Sequence, residues 1–444
     1  MINGALLLVV FVVSILFIII MTARVKMNAF LVLLLAAFGT GLLSGMEPLT
    51  VIKTITGGFG SILGYIGIVI IAGTIIGTML EKSGGTLTMA NSVLKLIGSA
   101  QSALAMSITG AIVSISVFCD SGFVILSSLN KTLAKKAKLS MTTMAVALAS
   151  GLYATHTFVP PTPGPIAAAG NLEADIGLVI VFGLIISIPA VLAGYLWATK
   201  ICPKYYVEPH IEVDINQTVQ NLPKAFDAFA PIIIPIVLIT LKSAADFPGQ
   251  PFGGGKIKLF FDFFGDPTVA LLIGVFIAFR LIPRWSEEYI NGWVGEGLKN
   301  AASIIMITGA GGAFGAVLKA TPIGDYLSSS LAQYHLGIFL PFLVAAALKT
   351  AQGSSTVALI TTSALVSPML FDLGLDTATA RALTVISIGA GAMIMSHAND
   401  SYFWVVSQFS GIDTTTAYKT HSMATLVQGI TSIAAVFVLS LILL

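Results

Sequence analysis

Charged side chains are scarce in this sequence. Asp, Glu, Lys and Arg make up 9% of its 444 residues, whereas soluble proteins carry about a quarter. The 22 Lys and Arg residues are nearly balanced by 20 Asp and Glu residues, so the chain has neither the basic surface that binds nucleic acid nor an acidic tail. The composition therefore excludes a water-soluble protein and gives no support to a nucleic-acid partner.

Cysteine and the common hydrolase motifs are equally sparse. Cys119 lies in an apolar stretch and Cys202 at a helix end, and these contexts are too different for a disulfide or a thiolate metal site. The sequence contains no His-Glu-x-x-His pair and no Gly-x-Ser-x-Gly elbow. We expect no metal and no cofactor, and an intramembrane enzyme that uses His156, His397 and Asp400 is the least favoured function.

Apolar residues are what the sequence has in excess. They make up 56% of the chain, and runs such as 5–21 and 176–198 reach the roughly 20 residues that cross a bilayer core as a helix. Basic residues follow the first run and none precede it. This order predicts a membrane helix that is retained, in contrast to a secretory signal peptide that is cleaved. We predict an all-α polytopic membrane protein with spans near 3–21, 28–45, 60–80, 140–159, 176–199, 226–242, 267–283, 300–319, 380–396 and 422–443.

Two further apolar stretches, at about 101–130 and 336–370, are interrupted by small polar clusters. The clusters are Cys119-Asp120-Ser121-Gly122 and Gln352-Gly353-Ser354-Ser355-Thr356. Each interruption is typical of a re-entrant helical hairpin, which returns to the side from which it came. With two hairpins and an outside amino terminus, most Lys and Arg residues fall inside, as the positive-inside rule requires. The segment 247–266 is then an outside loop.

The second half of the sequence repeats the glycine pattern of the first. Five spans and one hairpin make an odd number of crossings, so two copies must have opposite orientations. We therefore predict an inverted repeat over 1–200 and 226–444, joined by a cytoplasmic linker at 201–225. The alternative is that small residues recur only because they allow close helix packing. The recurring positions, at one constant spacing, are Gly57, Gly73, Gly77 and Leu80, which align with Gly295, Gly311, Gly315 and Leu318.

Four polar clusters lie at membrane depth, two at the hairpin tips and two on the spans that follow them. A charge at the centre of a membrane helix costs about 2.5–3.5 kcal/mol on insertion scales, so the clusters predict a site inside the protein. At a tip, the free N–H groups and positive dipole end of a half-helix attract an anion. The predicted substrate-binding residues are Asp120, Ser121, Gly122, Thr155, His156, Thr157, Thr162, Gln352, Gly353, Ser354, Ser355, Thr356, Ser396, His397, Asn399, Asp400 and Ser401.

A proton-coupled carrier needs a group whose pKa changes with its exposure. Asp120, Asp400, His156 and His397 are the candidates, and one helical turn would bring His397 beside Asp400. Each has a purely structural alternative, since a carboxylate can cap a helix and a neutral histidine can bond a carbonyl in the core. Sodium coupling is also open, because the tips offer carbonyl and hydroxyl oxygens.

The other ionisable residues of the apolar segments are assigned to the boundaries of the membrane. Lys319 and Lys349 are expected to extend their ammonium groups to the interface. His210, His335 and His421 are expected to be solvated at the ends of spans.

These clusters resemble the gluconate:proton symporter (GntP) family of bacterial permeases, within the ion transporter superfamily, over essentially the whole chain. The resemblance rests on Cys119 to Phe123, on His156 with Val159-Pro160-Pro161-Thr162-Pro163-Gly164-Pro165, on Gln352 to Ala358, and on Ser396 to Ser401 followed by Phe403-Trp404. It implies proton-coupled uptake of gluconate or a similar sugar acid across the bacterial inner membrane. It also implies a homodimer in which a scaffold domain holds the interface and a transport domain moves like an elevator.

Two departures from the family pattern affect the substrate. Thr162 stands between prolines where some sugar-acid members carry His, and Ala398 and Tyr402 replace a Val and a Gly in the last motif. A sodium-coupled carrier or a permease for D-serine or glycerate is therefore the alternative.

Overall fold

The computed structural model describes residues 4–98, 101–209, 222–246, 255–321 and 336–444, and within these ranges the regular structure is entirely helical. His210 and His335 lie outside the described residues. The α-helices, which we number α1 to α18 in chain order, are Gly4–Ala23, Ala29–Leu43, Pro48–Lys82, Gly85–Ile97, Ser102–Val113, Cys119–Ala137, Met141–Phe158, Pro163–Leu172, Ile176–Lys200, Ala225–Ala245, Lys256–Phe264, Pro267–Ala278, Glu287–Lys319, Phe339–Gln352, Ser355–Val366, Ala378–Ala392, Ser401–Phe409 and Thr414–Leu443.

A helix is present in each predicted span. Within the described ranges, five helices are long and apolar enough to cross a membrane. The pair α11 and α12, which is bent by 65° at its break, would make a sixth if it forms one span. These helices confirm the predicted all-helical membrane protein. They are α3, α9, α10, α13 and α18.

The predicted span at 140–159 is a helix of a different kind. Every residue of α7, Met141–Phe158, is buried, and α7 packs against α5 and α9. Because other helices surround it, α7 can carry Thr, Ser and His side chains that lipid would not accept. It forms the centre of the protein.

The predicted outside loop at 247–266 is wrong in its second part. Residues 247–254 lie outside the described part of the chain, but Lys256–Phe264 is the helix α11. The Lys258 ammonium lies 2.7 Å from a carboxylate oxygen of Asp246 and 3.0 Å from one of Asp262. The Lys258–Asp262 ion pair spans one turn of α11 and stabilises the helix. The helix is too short and too rich in Phe to show a helical period of apolar residues in the sequence.

The long helices α3 and α13 pack against each other along much of their length. Gly58 of α3 lies so close to α13 that a Cβ atom there would come within 2.8 Å of the Gly312 carbonyl oxygen. Small residues in both helices therefore serve close packing between the two halves. Close packing therefore accounts for some of the recurring small residues.

Several helices follow one another in the same order in both halves. A long helix, α3 or α13, precedes an interrupted pair, α5–α6 or α14–α15. In the first half α4 lies between them, and residues 322–335 of the second half lie outside the described part. Next come a helix with a short helix after a break, α7–α8 or α16–α17, and a final helix, α9 or α18. The predicted linker at 201–225 falls between α9 and α10, and its residues 210–221 lie outside the described part. The opposite orientation of the copies stays a prediction.

Candidate functional site

The interruption between α14 and α15 is a tight turn at Gly353. Gly353 has a φ of +92°, which disfavours any residue with a side chain, and a Cβ atom there would collide with the backbone of Asn399. The Gln352 amide donates to the Ser354 carbonyl oxygen at 2.6 Å and accepts from the Ser354 N–H at 3.0 Å. Gln352, predicted to bind substrate, therefore uses its polar atoms to hold the turn.

The helices α8 and α15 begin side by side. Gly164, at the start of α8, packs against Thr356 and Leu359 at the start of α15. Further along both helices, the Asn171 amide donates to the Ile360 carbonyl oxygen at 3.2 Å and to the Ser363 hydroxyl at 2.9 Å. The two helices therefore run in the same direction, and their positive N-terminal ends meet.

The helices α6 and α17 form the equivalent pair. Asp120 in the first turn of α6 interacts with the side chain of Ser401, the first residue of α17, and with the charge of Asp400. One turn further, the rings of Phe123 and Tyr402 pack edge to face with centroids 6.3 Å apart. A second pair of helix N-termini thus converges, built from one interrupted segment of each half.

A buried ion pair lies beside these helix ends. The Lys349 ammonium is 2.6 Å from the Asp400 carboxylate, and the two side chains are 0% and 7% exposed. Lys349 also donates to the Gly353 carbonyl oxygen, and Asp400 accepts from the Ser396 hydroxyl and, at 3.1 Å, from the Tyr402 N–H. The expectation that Lys349 extends to the membrane interface is wrong, because its ammonium turns inward to a carboxylate.

Helix dipoles favour both charges where they lie. Lys349 is in the last turn of α14, where free carbonyl groups favour a cation, and Asp400 is the N-cap of α17, where free N–H groups favour an anion. Together with the ion pair, these interactions offset the large cost of removing two charges from water.

His421 belongs to the same cluster. Its ring Nε2 lies 3.2 Å from the Ser396 hydroxyl, and the side chain is 1% exposed. The expectation of a solvated His421 is therefore wrong. The missed signal is a polar stripe on α18 at helical spacing, whose members are all buried: His421, Thr425, Gln428 and Ser432.

Side chains of α7 complete the cluster. The Lys349 ammonium lies 6.0 Å from the centre of the Tyr153 ring. His156 packs against Phe118, with ring centroids 6.0 Å apart, and lies within electrostatic range of Lys349 and Asp400. Its Nδ1 atom is buried and has no hydrogen-bond partner among the described residues. His156 therefore lies beside the Lys349–Asp400 pair with an unpartnered ring Nδ1, and its role in binding stays a prediction.

The side chains of His397 and Asn399 contact backbone carbonyl oxygens at the end of α14, and they form no hydrogen bond with the Asp400 side chain. The His397 ring Nε2 is 2.9 Å from the Thr350 carbonyl oxygen, and the Asn399 amide donates to the carbonyl oxygens of Thr350 and Ala351 at 2.9 and 3.1 Å. The expected side-chain pairing of His397 with Asp400 is therefore wrong. Only the backbone joins them, since the Asp400 N–H donates to the His397 carbonyl oxygen at 2.8 Å.

Four more of the predicted residues differ in whether their polar atoms have partners. Thr157 and Thr162 donate to carbonyl oxygens three or four residues earlier in their own segment. Thr155 Oγ1 and Asp120 Oδ1 are buried and lack a hydrogen-bond partner among the described residues. Unused buried polar atoms of this kind are rare unless a ligand, an ion or water satisfies them.

The chemistry of this cluster suits an anion and a proton. It combines a buried ammonium, two carboxylates, two histidines and four helix N-termini. Among the described residues, no three His, Cys, Asp or Glu side chains are grouped so that they could hold a metal ion.

Comparison with known proteins finds relatives over nearly the whole chain. A family model described as GntP family permease matches residues 6–442. The gluconate permease of Pseudomonas aeruginosa is 32% identical over 442 residues, which is 97% of each chain. The D-serine transporter of Escherichia coli K12 is 33% identical over 438 residues, again 97% of each chain.

A solved structure shows the fold at greater distance. The MtrF protein of Neisseria gonorrhoeae, described as one of a class of antimetabolite efflux pumps, superposes with a TM-score of 0.68 at 15% sequence identity, and the match covers 94% of this chain and 96% of that one. The matched relatives are permeases and transporters, so this multi-pass membrane protein is a transporter and not an enzyme. With a family model and full-length relatives in agreement, the chain belongs to the GntP family of permeases.

Proposed function

We propose that the protein is a proton-coupled secondary transporter that imports gluconate or a related sugar acid across the bacterial inner membrane. The observation that carries the proposal is the buried Lys349–Asp400 pair, which lies beside two pairs of converging helix N-termini. The family match and the gluconate permease of Pseudomonas aeruginosa support the substrate class.

A sugar acid fits this set of groups. Its carboxylate would lie near Lys349 and the N-terminal ends of α8 and α15, where positive charge is concentrated. Its hydroxyls would bond to Asp120, to Ser401 and to the unpartnered hydroxyl of Thr155. A carboxylate such as Asp120 accepts hydrogen bonds from sugar hydroxyls without needing a positive partner.

Proton coupling is proposed because ionisable side chains are buried around the same point. Asp120, Asp400 and His156 lie on helices of both halves and interact electrostatically with one another or with Lys349. A charge buried at membrane depth is costly, and such groups mark proton pathways in carriers.

Alternating access by an elevator movement belongs to the same proposal. A cavity of about 450 Å³ lies where the packed helices α3 and α13 face the C-terminal ends of α8 and α15. A boundary with unfilled space supports relative movement between a scaffold that contains α3 and α13 and a transport domain that contains the site. The inverted orientation of the two halves and the homodimer are proposed from the repeated element order and the family resemblance, respectively.

A second candidate substrate is D-serine, because the D-serine transporter of Escherichia coli is as similar to this chain as the gluconate permease is. The ammonium of D-serine would then interact with Asp120, which pairs with no Lys or Arg among the described residues.

The test is uptake of labelled gluconate into proteoliposomes with an imposed proton gradient. We expect accumulation that a protonophore abolishes and that replacement of sodium by choline leaves unchanged. Excess unlabelled gluconate, glycerate or D-serine should reveal which acid competes best. Uptake that persists after the proton gradient has collapsed would refute proton coupling, and loss of uptake in choline would establish sodium in its place.

A further inference from the structure

We propose that Lys349 is the counter-cation of the substrate carboxylate and that protonation of Asp400 releases Lys349 for this role. The inference rests on the proposed function and adds the rule that couples the proton to the anion. A carboxylate of the protein and a carboxylate of the substrate compete for one ammonium group.

The geometry leaves Lys349 able to take a new partner. Its ammonium has three N–H donors, and the described residues supply two acceptors, the Asp400 carboxylate at 2.6 Å and the Gly353 carbonyl oxygen. The helix end that holds Lys349 is also the end that leads into the turn before α15. An anion at the N-terminus of α15 would therefore be beside Lys349.

Charge balance makes the competition necessary. Without a proton, the occupied site would hold the carboxylates of Asp120, Asp400 and the substrate against a single ammonium. Like charges this close in a buried site disfavour one another strongly. When Asp400 takes one proton, the substrate carboxylate replaces it as the partner of Lys349. One anion then enters with one proton.

A hydrogen-bonded chain can deliver that proton. Asp400 accepts from the Ser396 hydroxyl, and that hydroxyl oxygen lies 3.2 Å from His421 Nε2. Asp400 gains a proton from the Ser396 hydroxyl, Ser396 regains one from His421 Nε2, and His421 takes one at Nδ1 from a hydronium ion that enters when the site is open to water. That Nδ1 atom has no hydrogen-bond partner among the described residues, so it is free to accept this proton. Ser396 and His421 each give one proton and receive one, and Asp400 has a net gain of one.

Several other titratable groups face Asp400 and limit where the proton can go. They lie on four helices packed around it and on its own helix, and all interact with its charge. Variants of these groups are therefore the comparisons needed for any pH dependence of binding. They are Cys119 and Asp120 on α6, Tyr153 and His156 on α7, Lys349 on α14, Tyr402 on its own helix α17 and His421 on α18.

The test measures gluconate binding by titration calorimetry of the purified protein between about pH 6 and pH 8. For one coupled proton, the apparent Kd of the wild type should rise about tenfold per pH unit above the pKa of the coupling group. Asp400→Asn can still accept from the Tyr402 N–H but cannot take a proton, so its Kd should not change with pH. Lys349→Gln should weaken binding at least about tenfold at every pH.

Lys82→Gln is the matched control. It also removes a lysine from an ion pair, but Lys82 and its partner Glu296 are exposed and form no ion pair with the site. It should keep the wild-type slope. If Lys349→Gln does not fold, the double variant Lys349→Gln with Asp400→Asn removes both buried charges, and it should show the same weak binding without pH dependence.

Two results would overturn the inference: a wild-type slope in Asp400→Asn, or wild-type affinity in a folded variant that lacks Lys349. Failure of the proposed function looks different. In that case wild-type proteoliposomes accumulate no gluconate under a proton gradient, whatever the variants do.

Discussion

The two interrupted helix pairs of this protein have the same place in their halves but different charges. In the first half, Asp120 stands at the start of α6, and no Lys or Arg forms an ion pair with it within the described ranges. In the second half, Lys349 at the end of α14 binds Asp400 at 2.6 Å. One interruption thus carries a carboxylate alone, and the other carries a neutralised pair.

This difference separates two tasks that one site must perform. A lone carboxylate can accept hydrogen bonds from a polar ligand, whereas a paired carboxylate releases its ammonium partner when it is protonated. A duplicated unit allows such a division, because one copy can keep a residue that the other replaces. Substitutions at each interruption test whether the two differ in their contributions to folding stability and gluconate binding as they differ in charge.

Loss of Lys349 should have the largest effect on stability. Lys349→Met leaves the Asp400 carboxylate buried without a counter-charge, which costs about 3–5 kcal/mol. Lys82→Met removes an ion pair whose partners are 40% and 44% exposed, so it should cost under about 1 kcal/mol. The measurement is thermal unfolding in detergent. Adding Asp400→Asn to Lys349→Met should restore most of the loss, and equal effects of the two single Lys variants would contradict a structural role for the buried pair.

The sequence indicated where the chain breaks but not which charges meet there. Helix interruptions follow from local chemistry: prolines after Val159 stop α7, and the glycine at 353 takes a positive φ. Lys349 and Asp400 are 51 residues apart in the chain. Their pairing depends on how α14 packs against the segment before α17, and no local pattern encodes that packing. The single lysine near the end of an apolar helix was therefore expected to extend to the membrane interface.

Alanine substitutions should distinguish the glycines of the two polar clusters, Gly122 and Gly353. Gly353 has a φ of +92° and lies against the backbone of Asn399, which cannot move aside. Gly353→Ala should therefore cost about 1–3 kcal/mol and reduce gluconate uptake at least about tenfold. Gly122 is helical, and its Cβ would meet the flexible end of Leu152 at 2.7 Å. Gly122→Ala should keep uptake within about threefold of the wild type, since the Leu152 side chain can adjust. Equal losses in proteoliposome uptake would refute this contrast.

Asp120→Asn should affect binding more than stability. Removing a buried carboxylate that has no counter-cation removes a desolvation cost, so the unfolding temperature should stay unchanged or rise. Gluconate affinity should fall about tenfold or more, because hydrogen bonds to a charged group contribute about 1.5–3 kcal/mol. The dependence of Kd on pH should persist. If calorimetry showed that the pH dependence disappears in Asp120→Asn and survives in Asp400→Asn, the roles of the two carboxylates would have to be exchanged.

The positions of the two missed site residues show a second limit of sequence reasoning. His421 was assigned to solvent because it is near the start of an apolar span, yet the preceding π-helical turn Tyr418–Ser422 belongs to a helix that is buried on this face. The polar stripe on α18 could have indicated burial. Its contact with Ser396 could not be predicted, because it joins the break after α16 to the start of α18, and the two residues are 25 positions apart in the chain.

The smallest expected effect concerns Glu173, which links the halves at the surface between α8 and α9. Its carboxylate is 3.2 Å from the Lys319 ammonium on α13 and 3.4 Å from the Arg381 guanidinium on α16. The Lys319 charge, with Arg381, lowers the pKa of Glu173 below its usual value. The contribution of Glu173 to the free energy of unfolding is therefore complete above the unfolded-state pKa of this group. It is lost as the pH falls through the lower folded-state pKa. Because Glu173 is 67% exposed, the contribution should be under about 1 kcal/mol.

Glu173→Gln should remove that acid-dependent part and nothing else. Unfolding temperatures of the variant and the wild type, measured from about pH 3 to pH 7, should converge at the acid end and differ slightly near neutrality, and added salt should reduce the difference because exposed ion pairs are screened. A larger loss that salt does not change would mean that the link is a structural joint between the halves. In that case the contacts of Glu173 would have to persist while the transport domain moves, and the elevator boundary could not lie between α8 and α13.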